Sequence, residues 1–199
     1  MSNKLLLTEF IELTPNRDLL TEEEKKRMDE GEEIYLAGVM QRAGATNGNG
    51  RVYPLDILKR EVENYKKIVR EGRSVGELDH PESSVVELKN TSHIVTEIDM
   101  DGNDVIGKIK LLETAAGKTA IELLRGGVKL GISSRGLGST RNEGSKTIVE
   151  DDFQLICFDL VSEPSTTGAF MLREGKEPNI FTKADKINRI LNDILSHEK

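Results

Sequence analysis

Ser92-His-Ile-Val-Thr-Glu-Ile-Asp-Met-Asp-Gly-Asn-Asp-Val-Ile-Gly-Lys-Ile-Lys-Leu-Leu112 reads as two strands joined by a tight turn. Polar and apolar residues alternate up to Met100, Asp101-Gly102 accepts the positive φ of a hairpin turn, and alternation resumes from Val105. An antiparallel hairpin of this length needs a second layer to cover its apolar face, and helical patterns lie on both sides of it. Downstream, Thr114 caps a helix predicted over Ala115 to Arg125, with Ile121, Leu124 and later Val128 toward the core and Gly126-Gly127 closing it. Upstream, Leu55, Leu58, Val62, Tyr65 and Val69 recur at three and four, which predicts a helix from Pro54 to a stop at Gly72.

Further out, Glu33-Ile-Tyr-Leu-Ala-Gly-Val-Met-Gln41 and Phe153-Gln-Leu-Ile-Cys-Phe-Asp-Leu-Val161 read as strands, and Leu5 to Leu13 is a β-leaning run suited to pairing with a sheet edge or to docking. Asn47-Gly-Asn-Gly50 demands a loop with positive φ. Thr21 with Glu24 forms a capping-box pattern on a helix of low apolar content. Past Pro164 the chain turns to linker, and Ile187, Ile190, Leu191, Ile194 and Leu195 form one helical stripe. The expected organisation is an N-terminal arm over 1–32, a folded domain over 33–174, and a linker with an amphipathic helix over 175–199, suited to removal or docking.

Three segments carry chemistry. Lys129-Leu-Gly-Ile-Ser-Ser-Arg-Gly-Leu-Gly138 delivers two serines and an arginine on a short strand, Gly76-Glu-Leu-Asp-His-Pro81 ends a strand on a histidine, and Asp159 interrupts an otherwise apolar run. A serine hydroxyl needs a base in reach, a group fixing that base's tautomer, and donors for the oxyanion. His80 is the candidate base, and the N–H groups around Ser134 to Gly136, with the Arg135 side chain, are candidate oxyanion donors. Strand alternation lets only one of Ser133 and Ser134 face His80. His93 falls on the polar side of its strand and is expected to be exposed, and His197 lies near the C-terminus.

With 28 Lys+Arg against 35 Asp+Glu the net charge is -7, which argues against nucleic acid or an anionic membrane as partner. Three scattered histidines and one cysteine make no zinc-type ligand spacing, and the glycine-rich strings lack a P-loop lysine and a dinucleotide fingerprint, so neither metal nor cofactor is expected. The lone Cys157 in an apolar strand has no partner for an internal disulfide and points to a reducing compartment. No window reaches the length of an apolar membrane span.

Asn49-Gly-Arg-Val-Tyr-Pro54, Leu78-Asp-His-Pro81, Gly131-Ile-Ser-Ser-Arg-Gly136 and Phe158-Asp-Leu-Val-Ser-Glu-Pro-Ser165, in this order, resemble the prohead (capsid-maturation) serine proteases of tailed phages. The likeness spans roughly residues 33 to 171 on four ordered motifs. It implies an α+β fold similar to the herpesvirus assembly proteases, a closed antiparallel β-barrel with flanking helices. It also implies a Ser134 nucleophile, with Ser133 as the alternative, and a His80 base.

The herpesvirus relatives use a second histidine as third member. This chain has none between Ser134 and His197, so Asp159 takes that place, with Glu163 as fallback. The resemblance further implies cleavage after glutamate with an apolar residue two positions earlier, self-processing, and action on phage scaffold, core and major capsid proteins inside the immature prohead in the host cytoplasm. Leu172-Arg-Glu174 matches that preference at the linker, as does Leu7-Thr-Glu9 near the start. The rival reading is a catalytically inactive scaffold or core component of the same fold; oligomeric state is left open, a homo-oligomer included.

Overall fold

A computed structural model of the chain describes residues 4–11, 16–81 and 83–162. Its elements are β1 (Leu5–Ile11), α1 (Glu22–Asp29), β2 (Tyr35–Arg42), β3 (Arg51–Val52), α2 (Leu55–Arg70), β4 (Val75–Glu77), β5 (Thr91–Asp101), β6 (Asp104–Leu111), α3 (Ala115–Arg125), β7 (Gly131–Gly138), β8 (Thr140–Glu143), β9 (Lys146–Val149) and β10 (Gln154–Val161). The predicted hairpin is β5 and β6, closed where Asp101 pairs with Asp104, and it forms the centre of a sheet ordered β2-β6-β5-β4. A second sheet, β1-β7-β10, has the serine strand in the middle. A third, β3-β9-β8, is small and contains a parallel pair, β3 with β9.

The two larger sheets meet where β4 ends, through a bridge of Leu78 with Leu160. No continuous ladder joins the three sheets into one closed barrel among the described residues. The expectation of mixed α and β elements with mostly antiparallel pairing holds, and β1 pairs along its whole length with β7.

α2 runs over the predicted span because its apolar residues share one face: Ile57, Leu58, Val62 and Tyr65 are buried, and Leu55, Ile68 and Val69 pack at the margin. Each such side chain removed from water contributes about 1.5–3 kcal/mol. Tyr65 meets Phe158 edge to face at 5.6 Å, which pins α2 against β10. Glu61 is buried on the same face, where its carboxylate accepts from the Leu155 N–H at 2.9 Å at the bulge in β10. α3 is capped by Thr114 as expected, and it approaches so closely that a Cβ on Gly117 would collide with the carbonyls of Leu112 and Ser92. Val128, expected inward, is exposed, because the chain has already left the helix at Gly126.

The capping box at Thr21 starts α1, and buried Lys108 bonds Glu24 at 2.8 Å, fastening that helix to the β2-β6-β5-β4 sheet.

Candidate active site

β7 alternates, and its two faces differ in chemistry. Ile132, Ser134 and Gly136 point to the hydrophobic core, where Leu130, Phe158 and Leu160 lie, while Ser133 and Arg135 point the other way, alongside Asp159 of β10. His80 follows β4 and sits at the edge of this polar face. Its Nε2 is 2.5 Å from Ser133 Oγ and its Nδ1 is 3.0 Å from Asp159 Oδ2. The hydroxyl, the imidazole and the carboxylate therefore form one hydrogen-bonded line.

Asp79, immediately before the histidine, has φ of 67°, the one described non-glycine residue with positive φ, and its N–H donates to Leu160 O at 2.7 Å. That left-handed turn, which aspartate tolerates better than most residues, aims the imidazole back over β10.

Asp159 is wholly buried and has more partners than the histidine. Arg135 Nε donates to Oδ2 at 2.8 Å, Arg135 Nη2 to Oδ1 at 3.0 Å, and the Glu77 N–H to Oδ1 at 3.1 Å. Burial alone would raise its pKa, but hydrogen bonds from His80 and Arg135 and the guanidinium charge outweigh it and hold the carboxyl below its ordinary range. An ionised carboxylate only accepts, so Nδ1 of His80 carries a proton toward Asp159, and Nε2 is the ring atom turned to Ser133.

Several expectations are corrected or redirected. Ser134 was the first choice to face His80; the structure brings Ser133 there instead, and Ser134 Oγ is buried with no hydrogen-bond partner among the described residues. The Arg135 side chain, expected at an oxyanion site, is fully buried and occupied by Glu77, Asp159 and the carbonyl of Ser83. Gly136 is needed for packing, since a Cβ there would strike the Phe153 ring and the Gln154 carbonyl. His93, expected to be exposed, is fully buried. Its Nε2–H donates to Phe158 O at 3.0 Å, its Nδ1 accepts from Ser92 Oγ at 2.9 Å, and burial pushes its pKa down to about 4. Glu163 and Glu174 lie outside the described residues.

Two features were not read from the sequence. Glu77 is buried and pairs with Arg135; a glutamate at the end of a short strand, three before the histidine, was its only signal. The second is Glu9 on β1, which is 2% exposed. Its carbonyl oxygen lies 2.7 Å from Ser133 Oγ and competes with His80 Nε2 for the one hydroxyl proton. Its carboxylate accepts from Arg51 Nη1 at 2.7 Å, Tyr53 OH at 3.1 Å, Asn49 Nδ2 at 3.1 Å and Asn47 Nδ2. Among the described residues no group of three or more His, Cys, Asp and Glu side chains is arranged to hold a metal ion.

The family described as prohead core protein serine protease matches this chain over residues 8–180. The prohead core protein protease of Enterobacteria phage T4 is 33% identical over 163 residues, covering 76% of this chain and 76% of that protein. The solved structure of the bacteriophage T4 capsid assembly protease, gp21, is similar with a TM-score of 0.68 and 28% identity, over 81% of this chain and 99% of that one.

Proposed function

Because the chain belongs to the prohead core protein serine protease family, we propose that Ser133 is its nucleophile, His80 the general base and Asp159 the residue that orients His80. The observation that carries this reading is the unbroken line from Ser133 Oγ through His80, at 2.5 Å and 3.0 Å, to a carboxylate kept ionised by Arg135.

In the reaction, His80 Nε2 takes the hydroxyl proton as Ser133 Oγ attacks the peptide carbonyl carbon. The imidazolium so formed is stabilised by Asp159 and then gives the proton to the leaving amine, and water releases the acyl group by the same steps in reverse. Arg135 and Glu77 act behind Asp159 as positioning residues: they fix the carboxylate, which fixes the ring.

The substrates on this reading are scaffold or core proteins and the major capsid protein, cut inside the immature phage shell in the host cell after glutamate with an apolar residue two positions earlier. Cutting after Glu174 would free residues 175–199 as a propeptide. The herpesvirus likeness implies a closed antiparallel barrel with flanking helices, and the mostly antiparallel sheets are read as parts of it. The test is a glutamate-containing peptide incubated with the full chain. Ser133→Ala should lower kcat/KM by about four orders of magnitude or more while Ser134→Ala stays within about threefold. Loss of activity in Ser134→Ala with retention in Ser133→Ala would overturn the assignment.

A further inference from the structure

The line of hydrogen bonds at the site crosses from one sheet to another. His80 follows β4 of the β2-β6-β5-β4 sheet, whereas Ser133 and Asp159 stand on β7 and β10. The placement of imidazole against carboxylate is therefore set by the seam between β4 and β10. Among the described residues that seam has a single bridge, Leu78 with Leu160.

At the bridge the Asp79 N–H donates to Leu160 O at 2.7 Å. In a parallel pair the next bond of the same kind, two residues back on each strand, would run from the Glu77 N–H to Phe158 O. The ladder stops short of it. The Glu77 N–H donates to the side chain of Asp159, at 3.1 Å from Oδ1. Phe158 O takes its hydrogen bond from a side chain instead, the Nε2–H of His93 at 3.0 Å.

His93 belongs to β5, on the far side of β4, and reaches β10 because of Gly76. The two residues lie opposite each other in the β4–β5 pair, and a Cβ on Gly76 would collide with both the imidazole and Phe158 O. Directly after this pair the register shifts, between Gly76 and Glu77, which is the kind of irregularity that re-aims a backbone group. The ring is held in one tautomer: a carbonyl only accepts, so Nε2 carries the proton, and Ser92 Oγ donates to Nδ1 at 2.9 Å. Burial keeps the ring neutral against the pull of the Asp159 charge.

We infer that His93 is a positioning residue for the carboxylate that orients His80: by satisfying Phe158 O in place of a ladder bond, it leaves the Glu77 N–H to Asp159. This rests on Asp159 being the residue that orients His80. Without the imidazole donor, Phe158 O is a buried acceptor, and the ordinary ladder bond from the Glu77 N–H is the way to satisfy it. Forming that bond takes a donor from Asp159 Oδ1 and draws β10 toward β4. The carboxylate then shifts against Nδ1 of His80, which slows the proton transfers and leaves substrate binding as it was.

The test joins kinetics to structure, in the full chain with the glutamate-containing peptide. His93→Leu removes the donor and should lower kcat by at least about 30-fold with KM within about threefold. His93→Gln, whose amide N–H replaces Nε2–H, should return kcat to within about fivefold of the parent chain. Ser92→Ala frees the ring to change tautomer and should fall between the two. Val95→Ala, a buried core change on the same strand, is the control for lost stability and should keep kcat within about twofold. A crystal structure of His93→Leu should place Glu77 N within hydrogen-bond distance of Phe158 O and out of reach of Asp159 Oδ1. A kcat for His93→Leu equal to that of Val95→Ala, no recovery with glutamine, or Glu77 N still on Asp159 overturns the role. If His93→Leu does not fold, Ser92→Ala decides, and a kcat equal to the parent's overturns it. Failure here leaves Ser133-dependent cleavage standing. Asp159→Asn that cleaves at the parent rate would instead remove the reading on which the role rests, while the crystal structure still reports whether the hydrogen bonds exchange.

Discussion

The two faces of β7 carry the same residue type one position apart and treat it in opposite ways. Ser133 lies on a face of charges and hydrogen bonds, against His80, Asp159 and the Glu9 carbonyl. Ser134 lies on the core face, opposite Phe158, with its hydroxyl unbonded among the described residues. Position across the pleat, not the local motif, decides which hydroxyl reaches the histidine. A one-residue change of register would exchange them.

The largest expected break in the comparison is kinetic: Ser133→Ala against Ser134→Ala in the peptide assay, as set out above. Next is Arg135→Met, which keeps volume on the polar face but leaves Glu77 and Asp159 as two buried carboxylates without their cation. It should cost about 3–5 kcal/mol of unfolding free energy, measured by urea titration. It should also abolish cleavage, which the doubled loss of partner and position distinguishes from a surface arginine.

The third break puts charge on the buried side of β10. His93 has a folded pKa of about 4 against an ordinary 6.5, so the folded state binds fewer protons than the unfolded chain between those values. Stability is then fully present above 6.5 and falls as pH drops toward 4. The loss amounts to about 3 kcal/mol at the low end. Thermal melts across this range should show the slope, and His93→Gln should flatten it. The smallest effect sharpens the comparison: Ser134→Ala removes a buried hydroxyl with no partner and should leave stability unchanged or raise it by about 1 kcal/mol.

Much of the framework was legible in the chain. α3 begins and ends where its cap and glycines said, α2 stops just before Gly72, and the Asp-Gly turn sets the β5–β6 hairpin. These signals are local, so propensity and periodicity suffice to read them. His80 and Asp159, which the family likeness pairs as base and third member, lie within hydrogen-bonding distance of each other.

What failed depended on the facing of strands. Whether Ser133 or Ser134 faces His80 is fixed by how β7 lies between β1 and β10, and nothing within Gly131 to Gly136 states it. His93 was misplaced for a related reason. Its strand does alternate, but β4 lies across it with Gly76, where a Cβ would clash with the imidazole, so the side that looked solvent-facing is covered. Leu7-Thr-Glu9 stands out in the sequence as a match to the cleavage preference, but the burial of the Glu9 carboxylate was not legible, because it depends on the distant Asn47–Tyr53 segment folding over it.

Cys157 offers an experimental handle. It is the single cysteine of the chain, 1% exposed, with Sγ 3.4 Å from Asp159 Oδ1, and burial chiefly, then the neighbouring carboxylate, raises its pKa. A thiol that is neither ionised nor reachable does not react with alkylating or disulfide reagents while β10 stays in place. The rate at which such a reagent modifies the native chain therefore reports how often the strand beneath the site detaches, without any label being engineered.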